Sequence, residues 1–181
     1  CLVCFQTPGA YKGLERIKKK VSKNFIDYSV SQKMVNNTAY FQRIHDSFKP
    51  DCILAMSSFS SMHLATQLKT VKPIWFDQGD LMAEAQIKSY VDNNGDCLHD
   101  FLKLERRVLS RGDIFSTIST PQKFALIGKL GENGRLNKET TGYEFVHVIP
   151  CGVEKKKIAH NKTIIRGKHV GRDDFVVLWS G

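Results

Sequence analysis

The chain of 181 residues holds 27 Lys and Arg against 18 Asp and Glu, a formal charge of +9, with apolar residues at 41% of positions. This is globular composition, and the length suffices for one sizeable core. No apolar run approaches the ~20 residues of a membrane-spanning helix, and the first residues lack the basic, apolar and small-residue order of a signal peptide.

In chain order, the apolar run at 2–5 reads as a strand. The chain opens on Cys1 and enters this run directly, which leaves open whether this start is the native one. Leu14, Ile17 and Val21 fall at helical spacing and predict a helix carrying Lys18, Lys19 and Lys20 on a solvated face. A second strand is predicted at 25–28. Phe41, Ile44 and Phe48 then form a helical stripe that stops before Pro50. After the apolar run at 52–56 come Ser57, Ser58, Ser60 and Ser61, small hydroxyl residues suited to ligand contact and equally to helix capping. Met62, Ala65 and Leu68 make a third helical stripe.

The run at 74–76 delivers Asp77 to a strand end. A longer helix near 98–109 gathers Leu98, Phe101, Leu102, Val108 and Leu109 on one side with Glu105 among them, and a buried Glu105 requires an ionic partner. After the strand at 114–118, Thr120 is placed to cap a helix, Pro121 suits its first turn and Gly131 its end. Residues 132–144 are polar and predict a loop before the strand at 145–149. A basic stretch with little periodicity follows, then an apolar run at 175–179. Several runs are apolar at nearly every position, as strands buried on both faces of a parallel sheet are. The expected fold class is α/β: a Rossmann-like, mostly parallel sheet with helices on both faces.

Five cysteines, an odd number scattered over strands and loops, suit reduced thiols in a cytoplasmic protein. Cys1 and Cys4 have CxxC spacing but no second pair, so they read as buried structural thiols. The six histidines show no ligand spacing, and no metal is expected. The positive charge is compatible with nucleic acid, an anionic membrane surface or plain solubility, and its runs lack the aromatic interleaving of a single-strand binding platform.

The order Glu105 on a helix, Arg111-Gly112-Asp113-Ile114 into a strand, Ser119 at the strand end, Gly131, and then Ile149-Pro150-Cys151-Gly152-Val153-Glu154 resembles the N-terminal domain of GT-B-fold glycosyltransferases. Within that fold it is similar to the bacterial retaining enzymes that use nucleotide-activated sugars. Two further segments carry the likeness: 77–86, read as Asp-Gln-Gly-Asp-Leu-Met-Ala-Glu-Ala-Gln, and 134–137, read as Gly-Arg-Leu-Asn. The resemblance runs from about Lys49 onward. Cys151 stands where the hinge motif has Asn and Glu154 where it has Asp, and the glycine-rich loop expected after the first strand is not recognisable.

The resemblance implies a Rossmann-like acceptor-side domain over 1–150 lacking its first unit, an interdomain linker over 151–172 with hinge residues Pro150 and Gly152, and at 173–181 the first strand of a truncated donor-binding domain. It implies sugar transfer from a nucleotide-sugar with retention and without a metal or other cofactor. Asp77 takes the place of a cleft-facing catalytic residue, with Gln78, Asp80, Glu84, Ser58 and Arg135 as contacts to donor or acceptor. The partners implied are the nucleotide-sugar, an acceptor and the missing domain of the same chain. A peripheral contact with the inner membrane is the further partner that the charge raises, and nucleic acid is not expected. Two other classes stay open: a non-catalytic Rossmann-type sugar or nucleotide-binding module, and a basic nucleic-acid-binding protein. No GxGxxG follows a strand, which argues against a dinucleotide site.

Overall fold

The computed structural model describes residues 1–6, 16–56, 58–78, 81–92, 96–152 and 165–177. The chain divides into two compact units, 1–150 and 151–181. The larger unit contains β1 (Leu2–Gln6), β2 (Arg16–Ser22), β3 (Phe25–Ser31), α1 (Thr38–Phe48), β4 (Ile53–Ala55), α2 (Phe59–Gln67), β5 (Ile74–Asp77), α3 (Leu81–Asp92), α4 (Leu98–Arg111), β6 (Ile114–Thr117), α5 (Thr120–Glu132) and β7 (Val146–Val148). The fold is mixed α/β and Rossmann-like: a four-stranded, all-parallel sheet in the order β4-β5-β6-β7, flanked by helices. A second sheet of three strands, ordered β1-β3-β2, pairs β1 with β3 in parallel and β2 with β3 antiparallel.

The four parallel strands step across the sheet in sequence order, each reached by a helical crossover. Right-handed crossovers taken repeatedly in one direction deliver their helices to one face. On that face Ile74, Phe76, Phe115 and Val146 are almost wholly buried. They share one cluster with Met62 and Ala65 of α2, Leu81 and Ala85 of α3, Phe101, Leu104 and Val108 of α4, and Leu126 and Leu130 of α5. The alternate residues of the same strands, Leu54, Trp75, Asp77, Ile114, Ser116 and His147, occupy the other face by the two-residue period of a strand. A smaller cluster joins Val30, Phe41 and Leu64 with Val3 and Phe5, tying the three-stranded sheet to α1 and α2.

Local chemistry fixes the helix ends. Ser58 caps α2 by accepting from the Ser61 amide, Ser119 caps α5 from the Gln122 amide with Pro121 in the first turn, and Asn37 caps α1 from the Tyr40 amide. Lys49 ends α1 in the left-handed region at φ 52°. Gly112 follows α4 with ordinary backbone angles, and its need for glycine is spatial: an added Cβ would lie 2.4 Å from Phe115 Cζ and 2.9 Å from Phe76 Cδ2.

The helix predicted around Leu14, Ile17 and Val21 is not present at the described positions: residues 16–22 form β2, and Leu14 lies outside the described residues. Ser22 pairs with Phe25, so Lys23 and Asn24 form a two-residue hairpin turn, and Lys18 sits beside the Tyr28 ring at 5.4 Å. The cross-strand ladder and this contact override a helical spacing that rested on three residues. The strand predicted at 175–179 is likewise absent over 175–177, where Phe175 and Val177 are exposed. A strand exists only against a partner, and among the described residues none lies beside it; 178–181 lie outside the described residues. The smaller unit instead shows a turn around Gly167 at φ 76°, closed by Arg166 donating to the carbonyls of Arg172 and Asp174. Cys1 is exposed rather than buried, and the Cys4 side chain lies outside what is described.

Candidate functional site

Parallel strands place all their carboxyl ends at one edge, where open α/β sheets bind ligands. At that edge stand Asp77, Thr117 and Val148, at the ends of β5, β6 and β7. Asp77 is half-buried. The register sets it opposite Ser116, whose hydroxyl donates to Asp77 Oδ1 at 2.5 Å while accepting from Trp75 Nε1 at 2.8 Å. Ser116 is fully buried. Its one proton is committed to the carboxylate and one of its lone pairs to the indole, so the chain Trp75–Ser116–Asp77 orients the carboxyl group. An ionised carboxylate still offers further lone pairs to a ligand hydroxyl.

Gln78 turns to the opposite, helix-covered face. Its backbone amide extends the ladder to the Ser116 carbonyl at 2.8 Å, while its side chain is buried and Nε2 has no hydrogen-bond partner among the described residues. It lines a niche of about 100 Å³ together with Glu105, Thr117, Gln122 and Lys129. Glu105, buried on α4, meets Lys129 Nζ of α5 at 2.6 Å, which is the ionic partner that its apolar surroundings demanded.

The other residues singled out in the sequence do not gather here. Ser58 is exposed and occupied as the α2 cap. Glu84 is exposed in the first turn of α3, where the helix dipole favours a negative charge. Asp80 lies outside the described residues. Arg135 lies apart from Asp77: Nη1 donates to the carbonyls of Leu109 (2.6 Å) and Ser110 (2.7 Å), and Nη2 to that of Gly112 (2.9 Å). Its guanidinium carbon also lies 4.9 Å from the centre of the Phe145 ring. These carbonyls precede β6, at the amino edge of the sheet, so Arg135 staples the end of α4 at the edge opposite Asp77. Asn137 caps a short 3-10 turn over Lys138–Thr140 and holds the same loop. Pro150 and Gly152 are exposed at the boundary between the two units.

Sequence reasoning missed Ser116, Trp75, Thr117, Lys129 and Gln122. The polar pair Ser116-Thr117 inside an otherwise apolar strand was the one signal available for the first of them. A larger surface depression of about 470 Å³ lies between α2 and α4, lined by Phe59, His63, Asp100, Lys103, Arg106 and Arg107. There burial, and secondarily the Arg107 charge, hold the His63 imidazole below its ordinary pKa, with Arg107 Nη2 at 3.3 Å from Nδ1. Among the described residues no group of three or more His, Cys, Asp or Glu could hold a metal ion. No family model, curated protein or solved structure matches the chain.

Proposed function

We propose that this chain forms the acceptor side of a GT-B-type retaining glycosyltransferase, with Asp77 as its catalytic carboxylate. The observation that carries the reading is the place of Asp77: at the carboxyl edge of the parallel sheet, on a central strand, with its orientation set by Ser116. The motif resemblance between Lys49 and Glu154 supplies the reaction class. A nucleotide-sugar presents its anomeric carbon to the acceptor hydroxyl at this edge. Asp77 takes the proton of that hydroxyl as its oxygen bonds to the anomeric carbon, and offsets the positive charge that builds on the sugar ring as the bond to the nucleotide phosphate breaks and the nucleotide leaves. The nucleotide itself belongs to the donor-binding domain of such enzymes.

The free thiols Cys1, Cys52 and Cys151 fit a cytoplasmic enzyme, the motif resemblance points to a bacterial one, and the basic surface fits a lipid-linked or polysaccharide acceptor at an anionic inner membrane. Among the described residues no helix is long and apolar enough to cross a membrane. A non-catalytic sugar-binding module is the second reading, favoured by the unsatisfied Gln78 amide. One experiment separates them: incubate the full-length protein with a panel of nucleotide-sugars and acceptors, then assign the anomer of any product by NMR. A product with the donor's anomeric configuration supports the transferase; an inverted product or saturable sugar binding without turnover removes it.

A further inference from the structure

The niche behind the β5 and β6 ends lies on the face of the sheet opposite Asp77. Three observations define its chemistry. First, Gln78 is about nineteen-twentieths buried, at 5% exposure, yet Nε2 finds no partner among the described residues. A buried polar group in that condition costs stability, and native structures retain few of them. Second, the charged groups facing it cancel: the Glu105 carboxylate is neutralised by Lys129 Nζ at 2.6 Å. The remaining polar lining, Thr117 and Gln122, is neutral, so the niche carries no net charge and does not select an anion. Third, its volume of about 100 Å³ corresponds to about three water molecules, room for a few carbon and oxygen atoms rather than a whole nucleotide.

The lining therefore offers an amide donor, an ammonium donor and a carboxylate acceptor within one small neutral space. Hydroxyl groups answer all three because each both donates and accepts. We propose that this niche binds the vicinal diol of a small neutral polyol, or the matching edge of a sugar, with Gln78 Nε2 donating to one hydroxyl oxygen and Glu105 accepting from the neighbouring hydroxyl. Gln122, half-buried on the first turn of α5, stands at its rim. The inference does not need the transferase reading, since a chain that never transfers sugar would still hold a diol here.

The test is an NMR titration of the full ¹⁵N-labelled chain with glycerol, 1,3-propanediol and inorganic phosphate in parallel, following the side-chain amide signals of Gln78 and Gln122. The expected result is a saturable shift with glycerol, a several-fold weaker one with 1,3-propanediol and none with phosphate. Shifts that grow linearly without saturation, or that are equal for the three probes, overturn the proposal and leave a niche for water only. In Gln78→Leu the melting midpoint is expected to stay or rise, because an unpaired donor is removed, and the glycerol response at Gln122 to vanish. A glycerol response that survives this substitution also overturns the proposal. Should Gln78→Leu fail to fold, Gln78→Met, which keeps the side-chain length and removes the amide donor, reads the same contact through the Gln122 signal, with the glycerol response lost; a response equal to wild type contradicts the assignment.

Discussion

Replacing Arg135 with Ala separates a structural staple from a ligand contact. In the wild type one guanidinium makes three hydrogen bonds to the carbonyls of Leu109, Ser110 and Gly112 and packs on Phe145. Hydrogen bonds to a charged group are worth ~1.5–3 kcal/mol each. These three share one side chain and are not additive, so the loss is set at ~3 kcal/mol, including the favourable placement of a cation at the α4 carboxyl end. For a domain of this size each kcal/mol lowers the melting midpoint by ~2–4 °C, so Arg135→Ala should melt ~6–12 °C below wild type. Arg135→Lys should recover about half, because an ammonium reaches one or two of the carbonyls but loses the planar fork. The assay is thermal and urea unfolding followed by circular dichroism, with nucleotide-sugar affinity measured alongside. A midpoint unchanged in Arg135→Ala together with lost nucleotide-sugar affinity would refute the staple and restore Arg135 to a binding role.

Two further outcomes follow from single residues. Gly112→Ala drives a methyl group into the fully buried rings of Phe76 and Phe115, and overpacking of this kind costs ~1–3 kcal/mol, readable as a lower urea midpoint with an unchanged slope; wild-type stability would show that the rings have room to move. His63, held below its ordinary value first by burial and then by Arg107, favours its neutral form in the fold. Its contribution to stability is then complete above the unfolded value, about 6.5, and is lost as pH falls through the lower folded value. An imidazole titration by NMR should give a midpoint under 6.5, and Arg107→Gln should raise it only in part because burial remains; a wild-type midpoint at or above 6.5 contradicts the assignment.

The parallel core was legible because its strands are short, nearly unbroken apolar runs, and α5 because Pro121 marks its start. Glu105 announced its need for a partner through its apolar neighbours, but Lys129 lies 24 residues away, and only the packing of α5 on α4 brings the two together. Ser116 escaped notice because its value to Asp77 comes from strand register, which composition does not encode. The anchoring of Arg135 was hidden for a related reason: its acceptors are backbone carbonyls, which every sequence possesses and none displays. β2 misled because Ile17 and Val21 fit a helical period equally well, and the Lys23-Asn24 turn that closes the hairpin carries no glycine to advertise it.

The transferase account stands or falls most directly on the rate of sugar transfer by the full-length protein carrying Asp77→Asn. This substitution keeps the shape and a hydrogen bond to Ser116 while removing the carboxylate charge. The account predicts a kcat reduced about 100-fold or more, with the melting midpoint and the nucleotide-sugar affinity essentially unchanged. A variant that transfers sugar at the wild-type rate would contradict it, and Asp77 would then be no more than the end of a strand.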